Sequence, residues 1–229
     1  ALAKVYLLPL GSIAGKTATR IAPPATSSLP LRAADRAIWC SFLGTAEHHQ
    51  DRQDMMAGLT KAKMVVPFKM DKKDKSYMHA KGLPQTLATE EGQAAVGGKK
   101  NVCLIYGAKK FMADDNVSPF EYYRIIQDSV FHPSPSGKGP FSFRLYEALD
   151  YGAIPIVPDI APFNRPLGEG HPLPKLKPGE WEEGVPRLLR QYYNDPAATA
   201  ELQARVVDWW YEFSTKWRKQ LTANVERLI

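Results

Sequence analysis

Short apolar runs separated by longer amphipathic stretches constrain this chain more than any other feature of its sequence. Residues 5–10, 37–43, 64–68, 102–106, 129–132 and 154–157 are each long enough for one buried strand and too short for a core helix. Between them, residues 51–63, 119–128 and 141–151 space their apolar positions as one face of a helix requires. Strands buried on both faces read as continuous apolar runs, and parallel neighbours need a crossover of about a dozen residues. The alternation therefore predicts βαβ units and an α/β fold, a doubly wound parallel sheet with helices on both faces.

The boundaries carry their own signals. Ser118 before Pro119, with Glu121 in the first turn, marks a helix start, and Asp195 before Pro196 marks another. Two helices close the sequence, over residues 181–193 and from 196 to about 228. Residues 11–35 and 82–100, rich in small and turn-forming residues, read as loops. No internal repeat is visible.

Composition enters as a filter. Of 229 residues, 44% are hydrophobic and 24% charged, which excludes a disordered chain, and Gly 16 with Pro 19 disfavours a helical bundle or coiled coil. No apolar run approaches the roughly 20 residues that span a bilayer. The formal net charge is +6, which favours anionic ligands in general. Lys69, Lys72, Lys73 and Lys75 are interrupted by Asp71 and Asp74, so this stretch reads as a solvated loop, not a nucleic-acid arm. Cys40 and Cys103 each sit inside an apolar run and are expected to be buried structural thiols.

Two segments compete for a phosphate. Gly11 to Thr17 follows an apolar run, but only three residues separate Gly11 from Gly15, and Pro23-Pro24 interrupts any long helix behind it, so a P-loop is not expected. Residues 129–159 fit better. A strand ends at His132, a loop with Ser134, Ser136, Gly137 and Lys138 follows, and a helix opens near Ser142 and carries Arg144 and Glu147. Such a loop brings free N–H groups and the positive end of a helix dipole to the carboxyl edge of a sheet, where ligands of open α/β folds collect. Lys138 and Arg144 add fixed charge, and Glu147 lies three residues on, where a carboxylate can accept from a ribose diol. The same letters also describe a plain turn followed by an exposed Arg144–Glu147 pair.

The block resembles the exostosin family of glycosyltransferases. The matching residues are Ser129, Phe131, Pro135, Gly137, Ser142, Arg144, Leu145, Glu147, Ala148, Leu149, Gly152, Ile154, Pro155, Asp159, Pro162 and Phe163. Arg36, the run Phe42 to Thr45, and Arg52 extend the likeness towards the N-terminus. The family's two cysteines in this block are His132 and Ala153 here. Their loss removes a pairing typical of secretory-pathway members and favours a cytoplasmic setting over the Golgi lumen that the resemblance implies.

The resemblance implies a GT-B architecture with two facing Rossmann-like domains, of which this chain is the nucleotide-sugar-binding one. Residues 1–35 would be a linker or a remnant of an N-terminal partner domain, 36–195 the nucleotide-sugar domain, and 196–229 a helix packing back on either. It implies an inverting, metal-independent transferase without cofactor, taking a nucleotide sugar, expected to be a UDP-sugar, and a glycan acceptor. In keeping with that, the sequence contains no Asp-x-Asp pair. Arg52, Lys138 and Arg144 with the backbone of 137–142 would stabilise the leaving diphosphate, Gly44 and Thr45 would line its phosphate end, and Glu147 would hold ribose. His132, Ser134, Ser136 and Ser142 complete the expected binding set, although His132 reads more simply as a capped strand-end residue.

Candidate general bases are Asp159, His48 and His49, unless the base lies on the opposing domain. Asp159 can also be read as capping a turn before Pro162, and the two histidines as loop residues. The sequence does not identify the donor sugar; Asn164, Arg165 and the loop at 82–100 are the places it offers for donor or acceptor specificity. Two other readings stay open: a retaining GT-B transferase, and a non-catalytic basic module that binds glycan or nucleic acid through Trp209, Trp210, Tyr211 and Trp217.

Overall fold

The computed structural model describes residues 30–36, 38–44, 49–67, 103–106, 119–136, 142–168 and 170–227. In chain order the elements are β1 (Ile38–Leu43), α1 (Gln50–Lys61), β2 (Val65–Pro67), β3 (Cys103–Tyr106), α2 (Pro119–Gln127) and β4 (Ser129–Pro133). They are followed by α3 (Phe143–Asp150), β5 (Ile154–Pro158), α4 (Ala161–Leu167), β6 (Lys175–Leu176), α5 (Trp181–Tyr193) and α6 (Pro196–Glu226). The expected strand at 5–10, the P-loop-like segment, the loop at 82–100 and the cap Ser118 lie outside the described residues.

The strands form one sheet in the order β2-β3-β1-β4-β5-β6, and every described pairing is parallel. From β1 the chain crosses towards one edge, and from β4 it crosses towards the other. Right-handed crossovers running in opposite directions put their helices on opposite faces. Accordingly α1 packs with α5 on one face, whereas α2, α3 and α6 cover the other. Gly58 of α1 makes the first contact possible, since a Cβ there would stand 1.7 Å from the Glu182 carbonyl oxygen. The core is built from fully buried Phe42, Met55, Phe131, Leu145, Ile154, Trp181 and Leu189. Each such large side chain contributes about 1.5–3 kcal/mol relative to exposure.

Three features depart from the sequence reading, one of them the two-residue strand β6, which no apolar run announced. Cys40 and Cys103 are not thiols: they form a disulfide across 63 residues. The reason is register, because parallel pairing sets Cys40 directly opposite Cys103, with Cα atoms 4.3 Å apart. A helix also forms at Ala161–Leu167, with Pro162 in the first turn, where a fixed φ suits a helix start. Elsewhere the local signals hold: the Asp195 carboxylate accepts from Ala198 N at 2.9 Å and caps α6.

Inside the loop expected at 11–35, a 3-10 turn at Ala33–Asp35 leads into Arg36, 7% exposed. Arg36 donates to the carbonyls of Leu31, Ser129 and Tyr151 at 2.9, 2.7 and 2.8 Å, with Ile126 O at 3.5 Å. Ile126 and Tyr151 end α2 and α3, so this cation sits where two helix dipoles point their negative ends. Burial nevertheless pulls its pKa down to about 10, against the favourable pull of Asp128. Gln203 of α6 adds bonds to Leu31 O and Gly152 O at 3.0 and 2.9 Å, tying α6 to the same corner.

The aromatic residues of α6 pack mainly on one another and on the domain. Trp209, Trp210 and Phe213 form a cluster, Trp210 Nε1 donates to Asp150 at 2.9 Å, and the Trp210 ring lies 6.1 Å from that of Tyr146. Tyr211, at 62% exposure, faces outward. No described helix is long and apolar enough to cross a membrane.

Replacing both Cys40 and Cys103 by alanine is expected to cost about 4 kcal/mol, the entropy of a loop this long, read as a drop in the denaturant midpoint. Intact mass before and after reduction and alkylation checks the bond itself. Arg36→Met is expected to cost about 3 kcal/mol, because buried carbonyls lose their donor; thermal unfolding within a degree of wild type would refute the clamp.

Candidate nucleotide-sugar site

The direction of the chain reverses between β1 and β4, and the carboxyl ends of these two strands leave a crevice between α1 and α3. Gly44 follows β1, Ser134 to Ser136 follow β4, and Ser142 precedes α3. Arg144 Nε donates to Leu43 O at 2.5 Å, and its guanidinium stands 5.5 Å from the centroid of the Phe42 ring. The contact needs glycine at 44, where a Cβ would lie 2.0 Å from Arg144 Nη2. From the opposite face, Arg52 of α1 is buried at 5% exposure and donates through Nε to Ser136 O at 3.1 Å.

These two guanidiniums are close enough to repel. The pKa of Arg52 is lowered to about 10, first by desolvation and then by the positive charge of Arg144. Like charges brought together at a strand edge, beside the N-terminus of α3, build a positive potential suited to an anion with several oxygens.

Other expected ligands are placed less directly. Ser134 is buried, its N donating to Ile156 O at 2.8 Å and its hydroxyl to His132 O at 3.1 Å. Ser142 caps α3 by backbone position without a side-chain bond, and its buried Oγ finds no partner. Glu147 is buried at 3% exposure rather than forming a surface pair. Tyr122 donates to its Oε2 at 2.5 Å and Tyr123 to its Oε1 at 3.3 Å. Burial and the neighbouring Glu147 push the Tyr122 hydroxyl well above its ordinary pKa, so it remains a donor. Thr45, His48, Gly137 and Lys138 lie outside the described residues. His49 is described, immediately before α1.

His132 is fully buried within β4, and the proton count of its neighbours sets its tautomer. Ser129 gives its hydroxyl proton to Ile125 O at 2.6 Å, so Ser41 supplies the proton between the two serine oxygens, 2.7 Å apart. His132 Nδ1, 3.2 Å from Ser41 Oγ, must then be the donor, which leaves Nε2 as a bare acceptor. Nε2 is buried without a partner. Thus His132 Nε2 and Ser142 Oγ, two buried polar atoms at or near this carboxyl edge, are both unsatisfied among the described residues, as expected of groups next to a ligand or ordered water.

One strand over, at the end of β5, Asp159 Oδ1 accepts from Asn164 Nδ2 at 2.9 Å, and His171 Nε2 lies 3.2 Å from Asn164 Oδ1. Asp159 therefore does more than cap a turn; Ile160 is the residue that opens α4. Sequence reasoning missed His171, which sits in an irregular segment with no motif around it. It missed Tyr122 and Tyr123 as partners of Glu147 for a similar reason, since only tertiary packing of α2 on α3 pairs them.

The pKa of His132 is lowered to about 3 by burial and by Arg144, against a raising contribution from Ser41. An unfolded histidine titrates near 6.5, so between these values the unfolded chain binds more protons and stability falls with falling pH. His132→Asn is therefore expected to show a shallower loss of melting temperature between pH 7 and pH 4.5 than wild type; an unchanged slope would refute the buried neutral assignment.

The chain is 22% identical over 214 residues to ribitol-5-phosphate xylosyltransferase 1 of Danio rerio, covering 89% of this chain and 41% of that protein. Among solved structures it is similar to sucrose-phosphate synthase from Thermosynechococcus elongatus, at 12% identity and a TM-score of 0.45, over 82% of this chain and 47% of that one. It is similar also to the pneumococcal O-GlcNAc transferase GtfA, solved with UDP and GlcNAc, at 13% identity and a TM-score of 0.44, over 86% of this chain and 38% of that one. The chain thus spans less than half the length of each. Residues 93–229, which carry β3 to α6 and the loop that receives Arg52, match the RXYLT1 C-terminal domain, and the chain belongs to that family.

Proposed function

We propose that this chain is the nucleotide-sugar-binding half of a GT-B glycosyltransferase of exostosin type, inverting and metal-independent, with a UDP-sugar as donor. The observation that carries this reading is the convergence of Arg52 and Arg144 at the β1/β4 reversal, where burial first and then the charge of Arg144 depress the pKa of Arg52. A diphosphate relieves that repulsion. In metal-free transfer its departing charge is balanced by Arg52, Arg144, Lys138 and the N–H groups that open α3. The name of the zebrafish relative supports xylosyl as the sugar and ribitol 5-phosphate as the acceptor. A phosphorylated acceptor also suits a chain of net charge +6. The Cys40–Cys103 disulfide suits an oxidising compartment such as the Golgi lumen, although the family's own pair is replaced by His132 and Ala153.

In this reading an acceptor oxygen attacks the anomeric carbon, the bond to the diphosphate oxygen breaks, and the electron pair leaves with the nucleotide. The acceptor proton passes to a base on this domain or its partner. Calorimetry with UDP tests the binding half. Arg144→Ala and Arg52→Ala are each expected to raise Kd by about 10- to 100-fold, the worth of a charge-assisted bond. Parent-like affinity in both variants would sink the assignment. Product NMR tests inversion, since a retained anomeric configuration would select the retaining alternative.

A further inference from the structure

The segment after β5 holds a hydrogen-bonded chain whose polarity is set throughout. Leu173 N donates to His171 Nδ1 at 3.3 Å, so the single proton of the neutral imidazole is on Nε2. That proton points to Asn164 Oδ1 at 3.2 Å, which fixes the amide orientation, and the amide nitrogen donates to Asp159 Oδ1 at 2.9 Å. His171 is 5% exposed, with its ring 5.9 Å from that of Trp209 on α6. Burial and the nearby Lys175 lower its pKa to about 4, against the raising pull of Asp159, so the imidazole stays neutral near pH 7. A buried histidine thus sets an amide, and the amide holds one oxygen of a half-exposed carboxylate.

The position of that carboxylate gives the chain a use. Asp159 follows β5, and β5 pairs with β4 in register His132 to Pro155 and Pro133 to Ile156. It therefore stands on the same carboxyl edge as Ser134 to Ser136, about one strand spacing of 4.8 Å to the side. A sugar ring linked to a diphosphate lying over β1 and β4 extends by about that distance. The second oxygen of Asp159 takes part in no hydrogen bond among the described residues, and an ionised carboxylate is acceptor-only, matched to sugar hydroxyls.

We propose that Asp159 binds a hydroxyl of the donor sugar and that His171, acting through Asn164, is the positioning residue that aims it; this rests on the nucleotide-sugar reading above. Asp159 then sets sugar affinity rather than nucleotide affinity. Truncating the relay at His171 loosens the carboxylate without touching the diphosphate cradle.

Calorimetry with UDP and with UDP-xylose, on wild type and variants, tests this through the ratio of the two dissociation constants. Asp159→Asn, nearly isosteric, and His171→Phe, which keeps a ring against Trp209, are each expected to weaken UDP-xylose about tenfold while leaving UDP unchanged. The double variant should be no worse than Asp159→Asn alone, because the two residues act in series. His171→Gln, which restores an N–H donor, should recover part of the loss. If Asp159→Asn binds both ligands like wild type, the proposal is overturned. Equal weakening of UDP and UDP-xylose in His171→Phe, without rescue by His171→Gln, would overturn the positioning role and leave His171 a packing residue. If wild type binds neither ligand, the nucleotide-sugar reading itself fails and the relay proposal falls with it.

Discussion

The parallel pairing of β1 with β4 is the contact on which the rest of this molecule depends. It joins Ile38 to Ser129 and Cys40 to Phe131, and it is the seam where the chain stops building towards one edge and starts towards the other. A sheet that changes direction cannot fill the space above the seam with a crossover helix from either side. The crevice is therefore a by-product of topology, and whatever the flanking helices present at their N-termini faces into it.

The side chains there are held more firmly than surface cations of their length would be. Arg144 is fixed by a carbonyl at the end of β1, by an aromatic face and by the absence of a side chain at Gly44. Arg52 is held by the carbonyl of Ser136 across the crevice. Such preorganisation carries a cost, since the buried guanidinium of Arg52 and the half-buried one of Arg144 repel each other before any anion arrives. The pKa of Arg52, lowered first by burial and then by the charge of Arg144, carries part of that cost, and an arriving anion would offset it. Beneath the edge, Arg36 does the opposite work: it sits among carbonyls at the far ends of α2 and α3 and holds those helices to β4. One end of the domain is thus tied together by a buried cation, and the other gathers two guanidiniums at the sheet edge.

The disulfide and the Asp159–Asn164–His171 chain share an origin with this seam. Each depends on strands brought into a fixed stagger. Cys103 meets Cys40 because β3 and β1 lie in parallel register, and Asp159 reaches the same carboxyl edge as Ser134 to Ser136 because β5 is aligned with β4. Both would be lost by a slip of one residue, which turns every side chain of a strand to the opposite face.

What the sequence determined by itself was local. Apolar run lengths placed β1 to β5, helical spacing placed α1, α2 and α3, and Asp195 with Pro196 marked the start of α6, because strand burial, amphipathicity and capping act over a few residues. The charge set at Arg144 was legible for the same reason, since a loop, a helix start and an Arg follow one another in the chain. Tertiary structure alone decided which residues distant in sequence meet: Cys40 with Cys103, Glu147 with Tyr122 and Tyr123, Gly44 with Arg144, and the donor His171 behind Asn164. Those contacts depend on strand order, register and helix packing, and these are settled by the burial of the whole core rather than by the letters on either side of any one residue.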